Sequence, residues 1–427
     1  MRTTWRNPIL AAIGLIALMV PASAYAQVEL RLTWYSDGGE GDVMRDLLNR
    51  FEQKNADVKV IMDVVAFRAI NENLPVMVQS GQGPDMARVV DLGGLSKFYL
   101  DLTPHLPDPA YWHANFEPFL AWMRRPGDAA GISGVMTQLT VTGGFINKTL
   151  FDQAKIPVPG ATASWEDWAK AASAVAKAAK IPMALAMDRS GHRFAPLAID
   201  QGAKYFDAQG NPAIADAGFR KAAEMLVDWH KQGIMPKEIW AGASGTAYKG
   251  ANEEFANSQL AYYYSGNWQI GQFAKQIGDT FDWTVVPEPC GPAACTGMPG
   301  GAALVAFAGT KHPKEVARVM DYFASEAVLK EFSERSLFIP AHLGLAKKPL
   351  EFRTDSRPAR DALNAYAQQV AKIDKVAFQY QGYANNRLMF NATVTRLTQA
   401  ITGELTLDQA LQRIEADVAE GLKEKAK

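Results

Sequence analysis

Residues 28–65 constrain the fold more than any other stretch. Val28 to Trp34 alternates apolar and polar residues and reads as a strand. A polar glycine loop follows, Ser36-Asp-Gly-Gly-Glu-Gly41. Asp42 to Asn55 then places Val43, Leu47, Leu48 and Phe51 on one helical face, and Val58 to Val65 is a second strand. A strand, a crossover helix and a strand of these lengths form a βαβ unit, which predicts a parallel sheet. Ligands of such sheets bind beyond the C-terminal strand ends. That rule puts Trp34, Ser36 and Asp37 at the edge of a binding cleft.

The alternation continues along the chain. A helix over 71–80 leads through Gly81-Gln-Gly-Pro-Asp85 into a strand at 86–90, and Asp91 follows that strand. Gly134 to Thr142 is extended and is expected to cross between lobes, with Gln138 within it. Ser164 with Asp167 reads as a helix cap, and Trp165 to Ala179 as a helix. Strands are expected at 181–187, 259–264 and 302–308. Asp188 to Arg193 reads as a polar loop, 311–335 as mainly helical and 406–425 as an amphipathic helix. No fixed-period repeat appears. The predicted fold class is α/β.

At 427 residues the chain exceeds one ordinary domain and suits two lobes. Its 48% hydrophobic and 21% charged content is that of a globular protein. Residues 1–26 read as a secretory signal peptide: Arg2 and Arg6, an apolar run Ile9 to Val20, then Ala24-Tyr-Ala26 before Gln27. A twelve-residue helix rises about 18 Å, too short for a ~30 Å bilayer core. The expected location is the periplasm. Cleavage there would remove two basic residues and no acids, taking the net charge from −1 to −3. That balance leaves no footprint for nucleic acid. Cys290 and Cys295 are the only cysteines, in a Gly/Pro loop. In an exported chain a local disulfide is the default reading, ahead of a metal site or a redox pair.

Catalytic constellations are missing. The six His residues show no HExxH spacing. Gly242-Ala-Ser-Gly245 is followed by Thr246 and fails the nucleophile elbow. No P-loop or dinucleotide fingerprint occurs. Neither an enzyme nor a metal or cofactor is expected. A secreted carbohydrate-active hydrolase is the alternative from a different class, resting only on abundant carboxylates and aromatics.

Several segments resemble, in order, the family 1 extracellular solute-binding proteins of ABC importers, the group that includes maltose-binding protein. They are Val28 to Trp34, Gln79-Ser-Gly-Gln-Gly-Pro-Asp85, Gly144-Phe-Ile-Asn-Lys148 with Leu150-Phe151, and Trp165-Glu-Asp-Trp168. Phe255 to Ala261 with Ser265-Gly-Asn-Trp268, Gly300-Gly301, Ile339-Pro-Ala341 and Gly403 to Leu422 complete the series. Ile146 and Asn257-Ser258 depart from the family pattern. The resemblance implies a two-lobed, periplasmic-binding-protein-like (type II) fold with discontinuous lobes: 27–137 plus about 305–345, and 138–304 plus about 346–427. It implies a monomer that closes on a sugar or sugar derivative and docks on the membrane subunits of an ABC permease.

The resemblance also implies site residues. Trp268 matches a position that stacks on sugar, and Asp91 a ligand carboxylate. His192 and Arg193 fall in a cleft loop, and Gly300 and Gly301 would let backbone amides approach the ligand. Tyr383 and Asn386 lie in a polar aromatic stretch running to Arg387, expected to wall the cleft. Asp85 is expected to hold its own turn. Arg88, Arg193, Arg335 and Arg387 bear on ligand class. An unpaired arginine in the cleft would select an anionic sugar derivative or a glycerophosphodiester, whereas pairing with Asp or Glu would select a neutral sugar.

Overall fold

The computed structural model describes Met1 and residues 27–117 and 119–425; the expected signal peptide lies outside them. β1 (Val28–Tyr35) and β2 (Val58–Val65) pair in parallel along their whole length, joined by the Glu40–Lys54 helix. The helix buries Val43, Leu47, Leu48 and Phe51, the face predicted from spacing. β3 (Met86–Val89) lies on the other side of β1, also parallel.

The remaining strands are β4 (Gly134–Asn147), β5 (Met183–Met187), β6 (Leu260–Gly266), β7 (Trp283–Val286) and β8 (Pro299–Ala306). The order is β2-β1-β3-β8-β4-β6-β5, with β7 also beside β4. The sheet is mixed rather than parallel. β8 runs antiparallel to β3 and β4, and β4 runs antiparallel to β6 and β7, while β5 and β6 are parallel. Apolar patterning reports burial, which is the same for either strand direction, so it could not reveal this. β7, only four residues long, gave no sequence signal.

β4 and β8 join the two lobes. All fourteen residues of β4 are buried. Its first half pairs with β8 and its second half with β6 and β7. β8 in turn pairs with β3 through its C-terminal half. The lobe divisions expected at 137/138 and 304/305 fall inside these two strands. A bulge between Met136 and Gln138 shifts the register where they meet.

Local chemistry sets the helix starts. Ser164 and Asp167 form a reciprocal capping box ahead of the Trp165–Ala179 helix. The stretch predicted as a loop over 188–193 is corrected: a helix runs Gly191–Asp200, with the Ser190 side chain accepting from the His192 amide. Gly300 and Gly301 lie inside β8 rather than ahead of it. Asp85 is structural but does not close its own turn. It accepts from the Arg31 amide at 2.7 Å and from the Thr310 hydroxyl at 2.6 Å, tying β1 to a distant loop. Cys290 and Cys295 form the disulfide, with S–S 2.03 Å. Among the described residues no helix is long and apolar enough to cross a membrane.

Candidate functional site

The first group of site residues stands at the C-terminal ends of β1 and β3. Arg88, on β3, is fully buried. It donates to Asp37 Oδ2 and Glu40 Oε1, each at 2.8 Å, and to the Tyr35 carbonyl at 2.7 Å. Its guanidinium lies 4.2 Å from the Tyr35 ring centroid. Burial works against its charge, but Tyr35, Asp37 and Glu40 more than offset this and raise its pKa. Asp37 Oδ2 also accepts from Gln138 Nε2 at 3.2 Å, which links β4 to the end of β1. Gln138 Oε1 is buried without a partner among the described residues. Asp37 keeps 23% of its side chain exposed, so it is the member of this group that can still meet a ligand.

Trp34 is placed differently from expectation. It is fully buried, edge-on to Phe332, and offers no face to the cleft. Ser36 is exposed at the turn, its Oγ 3.5 Å from the Gly38 carbonyl. Asp91 is partly buried after β3, with Oδ1 accepting from the Gly94 amide at 3.0 Å. Its loop packs tightly on the chain opposite: a Cβ on Gly93 would sit 2.7 Å from Ala384 Cα.

The second group centres on Asp188, at the end of β5. Asp188 is fully buried and accepts from the Tyr263, Ser265 and Tyr248 hydroxyls and from Arg193 Nε. Burial raises its pKa against the pull of Arg193 and those hydroxyls. Arg193 spans this carboxylate and the Trp268 ring, whose centroid is 4.1 Å from its guanidinium. The Trp268 indole itself folds back over Gly266, where a Cβ would clash at 2.0 Å.

His192 connects this group to β8. Its Nε2 is 3.0 Å from the Pro299 carbonyl, and its Nδ1 is 3.2 Å from Arg193 Nη1. A carbonyl only accepts and a guanidinium only donates, which assigns the neutral Nε2–H tautomer. Burial, then Arg193, holds its pKa well below the ordinary imidazole value. The β8 glycines make room for this contact rather than offering amides to a ligand. A Cβ on Gly300 would meet His192 Nε2 at 3.0 Å. A Cβ on Gly301, whose φ is +147°, would meet the Gln138 carbonyl at 2.1 Å.

The third group opens the Asn386–Thr402 helix. Asn386 is buried and occupied, its Nδ2 donating to the Gln381 carbonyl at 2.7 Å. Tyr383 packs against Phe206, ring centroids 5.2 Å apart. Arg387 reaches across to accepting Asn71, on the Phe67–Gln79 helix. Asp91, Arg193 and Tyr35 lie within electrostatic reach of it. Burial lowers its pKa.

The structure therefore gathers Asp37, Gln138, His192, Arg193, Trp268 and Gly300 along β4 and β8, with Asp91 and Arg387 near each other at the margin. It leaves Trp34 in the core and commits Asn386 to its own turn. Arg335 is also committed, to Asp46 at 2.5 Å and Glu331 at 3.0 Å. Glu40, Tyr248 and Tyr263, which orient the charged residues, escaped the sequence reading. Glu40 read only as part of a glycine loop, and the partners of the tyrosines lie 60 and 75 positions away. A cavity of ≈ 340 Å³ lined by Leu139, Pro299, Phe119, Val370 and Phe378 lies on the opposite face of the hinge strands from Gln138 and Gly300. It is mainly apolar, with Lys375 and Gln379 also in its lining. Among the described residues no cluster of His, Cys, Asp or Glu is arranged to hold a metal.

Two lobes sharing a pair of strands, with polar side chains converging at the junction, define a class of solute-binding proteins. The chain belongs to the bacterial extracellular solute-binding protein family, whose signature matches residues 46–357. No curated protein matches its sequence. Solved structures share the fold at low identity. An ABC substrate-binding protein of Listeria monocytogenes, in complex with cycloalternan, is 16% identical with TM-score 0.76, covering 93% of this chain and 99% of that one. The GacH receptor of Streptomyces glaucescens, studied with acarbose, is 18% identical with TM-score 0.74, covering 93% and 98%. A maltose-bound protein of T. maritima is 17% identical with TM-score 0.75, covering 92% and 99%.

Proposed function

We propose that this protein binds one sugar or sugar derivative between its lobes and delivers it to an ABC permease. The observation that carries the reading is the convergence of Asp37, Gln138, His192, Arg193 and Arg387 at the β4–β8 junction. Sugars need short polar partners of fixed geometry, and charged ones give the stronger hydrogen bonds. The structural neighbours that hold cycloalternan, acarbose or maltose support a carbohydrate ligand. Asp188 is sequestered by three hydroxyls and a guanidinium and serves as an anchor. Asp37 is held by Arg88 and Gln138 but remains partly exposed, which suits hydrogen bonding to a ligand.

In this reading the chain is exported, cleaved before Gln27 and monomeric, with lobes 27–137 plus about 305–345 and 138–304 plus about 346–427. Thermal unfolding of residues 27–427 against sugars, polyols, sugar phosphates and sulfonated sugars tests it. A ligand at 100 times its Kd stabilises by about 2.7 kcal/mol. Silence across the panel would count against the reading.

A further inference from the structure

We propose that the ligand carries an oxyanion group, held by Arg387 and Arg193. This inference rests on the solute-binding reading and narrows its ligand class.

The arginines differ in what they already bind. Arg88 and Arg335 are each matched by two carboxylates. Arg193 uses Nε on Asp188 and Nη1 on His192, which leaves its Nη2 without a partner among the described residues. Among the described residues Arg387 makes one hydrogen bond, to the neutral Asn71 amide, and forms no salt bridge. Its guanidinium has five N–H donors, so most of them await an acceptor. Asp91 is the acid in its electrostatic range, but that carboxylate accepts from its own loop.

The surroundings sharpen the demand. The start of the Gly191–Asp200 helix packs on the first turn of the Asn386–Thr402 helix: a Cβ on Gly191 would meet the Phe390 carbonyl at 2.5 Å, and the His192 and Phe390 ring centroids are 5.4 Å apart. That packing brings Arg193 and Arg387 to one corner, where their charges repel. A partly desolvated cation beside a like charge is costly unless an anion joins them. His192 contributes no charge, because both its nitrogens are occupied in the neutral form. The indole of Trp268, expected to stack on a sugar, instead carries the Arg193 guanidinium on its ring at 4.1 Å. Cation–π contact on Trp268 and the bond to Asp188 fix the direction of Arg193. What results is a rigid, forked donor pair suited to a carboxylate, sulfonate or phosphate. Asp37, still 23% exposed, suits a ligand hydroxyl. The ligand thus carries hydroxyls as well as one acidic group.

The test is calorimetric titration of wild-type protein with matched pairs: methyl glucoside and methyl glucuronide, glucose and glucose 6-phosphate, glucose and its 6-sulfonate. The anionic member of at least one pair should bind about 30-fold or more tightly than its neutral partner, and its affinity should fall with added salt. The pair that responds separates carboxylate, phosphate and sulfonate. Arg387→Gln should erase that preference, and Arg387→Lys should restore only part of it. Tighter binding of the neutral members would overturn the inference while leaving the solute-binding reading intact. An unchanged preference in R387Q would also overturn it. No binding to any sugar would sink both.

Discussion

Removing the Arg88 guanidinium would leave Asp37 and Glu40 facing each other across a buried gap. Breaking a buried ion pair in this way costs about 3–5 kcal/mol. Urea unfolding of Arg88→Met should show a loss of that size, with weakened ligand binding because Asp37 is no longer aimed. Arg88→Lys should recover little, since one ammonium cannot reach two carboxylates and a carbonyl at once. The individual site residues were partly legible in the sequence. The positions of Asp37 and Gln138 were legible because strand ends and crossovers are readable from local pattern, whereas His192 and Arg193 were reached only through the resemblance. Trp34 was misplaced because alternation marks it as one face of a strand without saying that the Glu326–Ser336 helix covers that face. The roles of Arg88 and Asp188 depend on partners 48 to 77 positions away, and no local pattern encodes them.

At the scale of the element, Asp200 anchors the disulfide loop to the end of the Gly191–Asp200 helix. It accepts from Trp165 Nε1 at 2.8 Å and from the Thr296 amide at 3.0 Å, and its own carbonyl accepts from Ala293. Burial pushes its pKa up to about 8. The unfolded chain releases this proton near pH 3.8, so Asp200 lowers stability as pH rises from about 4 to 8, by at most about 1.4 kcal/mol per unit. His192 has the opposite sign. Its pKa is depressed, so the unfolded state takes up the proton first and stability falls as pH drops below about 6.5. Relative to wild type, Asp200→Asn should therefore gain stability between pH 5 and 8. His192→Gln should gain as pH falls below 6.5. Melting temperatures of the three proteins across this range would check both. Helix starts such as Ser164 were legible because capping chemistry is local. The Gly191 start was missed because Ser190, its cap, sits among residues that equally suit a loop.

The whole molecule depends on β4 and β8, which belong to both halves of the sheet. Gly301 is where they fit most tightly. Gly301→Ala would place a Cβ against the Gln138 carbonyl in a backbone region closed to L-residues. We expect a loss of about 1–3 kcal/mol, seen in urea unfolding, and weakened ligand binding because Gln138 shifts. The α/β alternation and two-lobed organisation were legible from the order of the elements. Strand direction and the sharing of β4 and β8 were not, because they arise from pairings between residues up to about 220 positions apart.

Equilibrium dialysis of residues 27–427 against the ligand found by thermal screening, with the ligand recovered and weighed by mass spectrometry, tests the central claim most directly. The account predicts one molecule bound per chain and returned unchanged. Recovery of a cleaved or altered product, or undiminished affinity in the Arg88→Met variant, would contradict it.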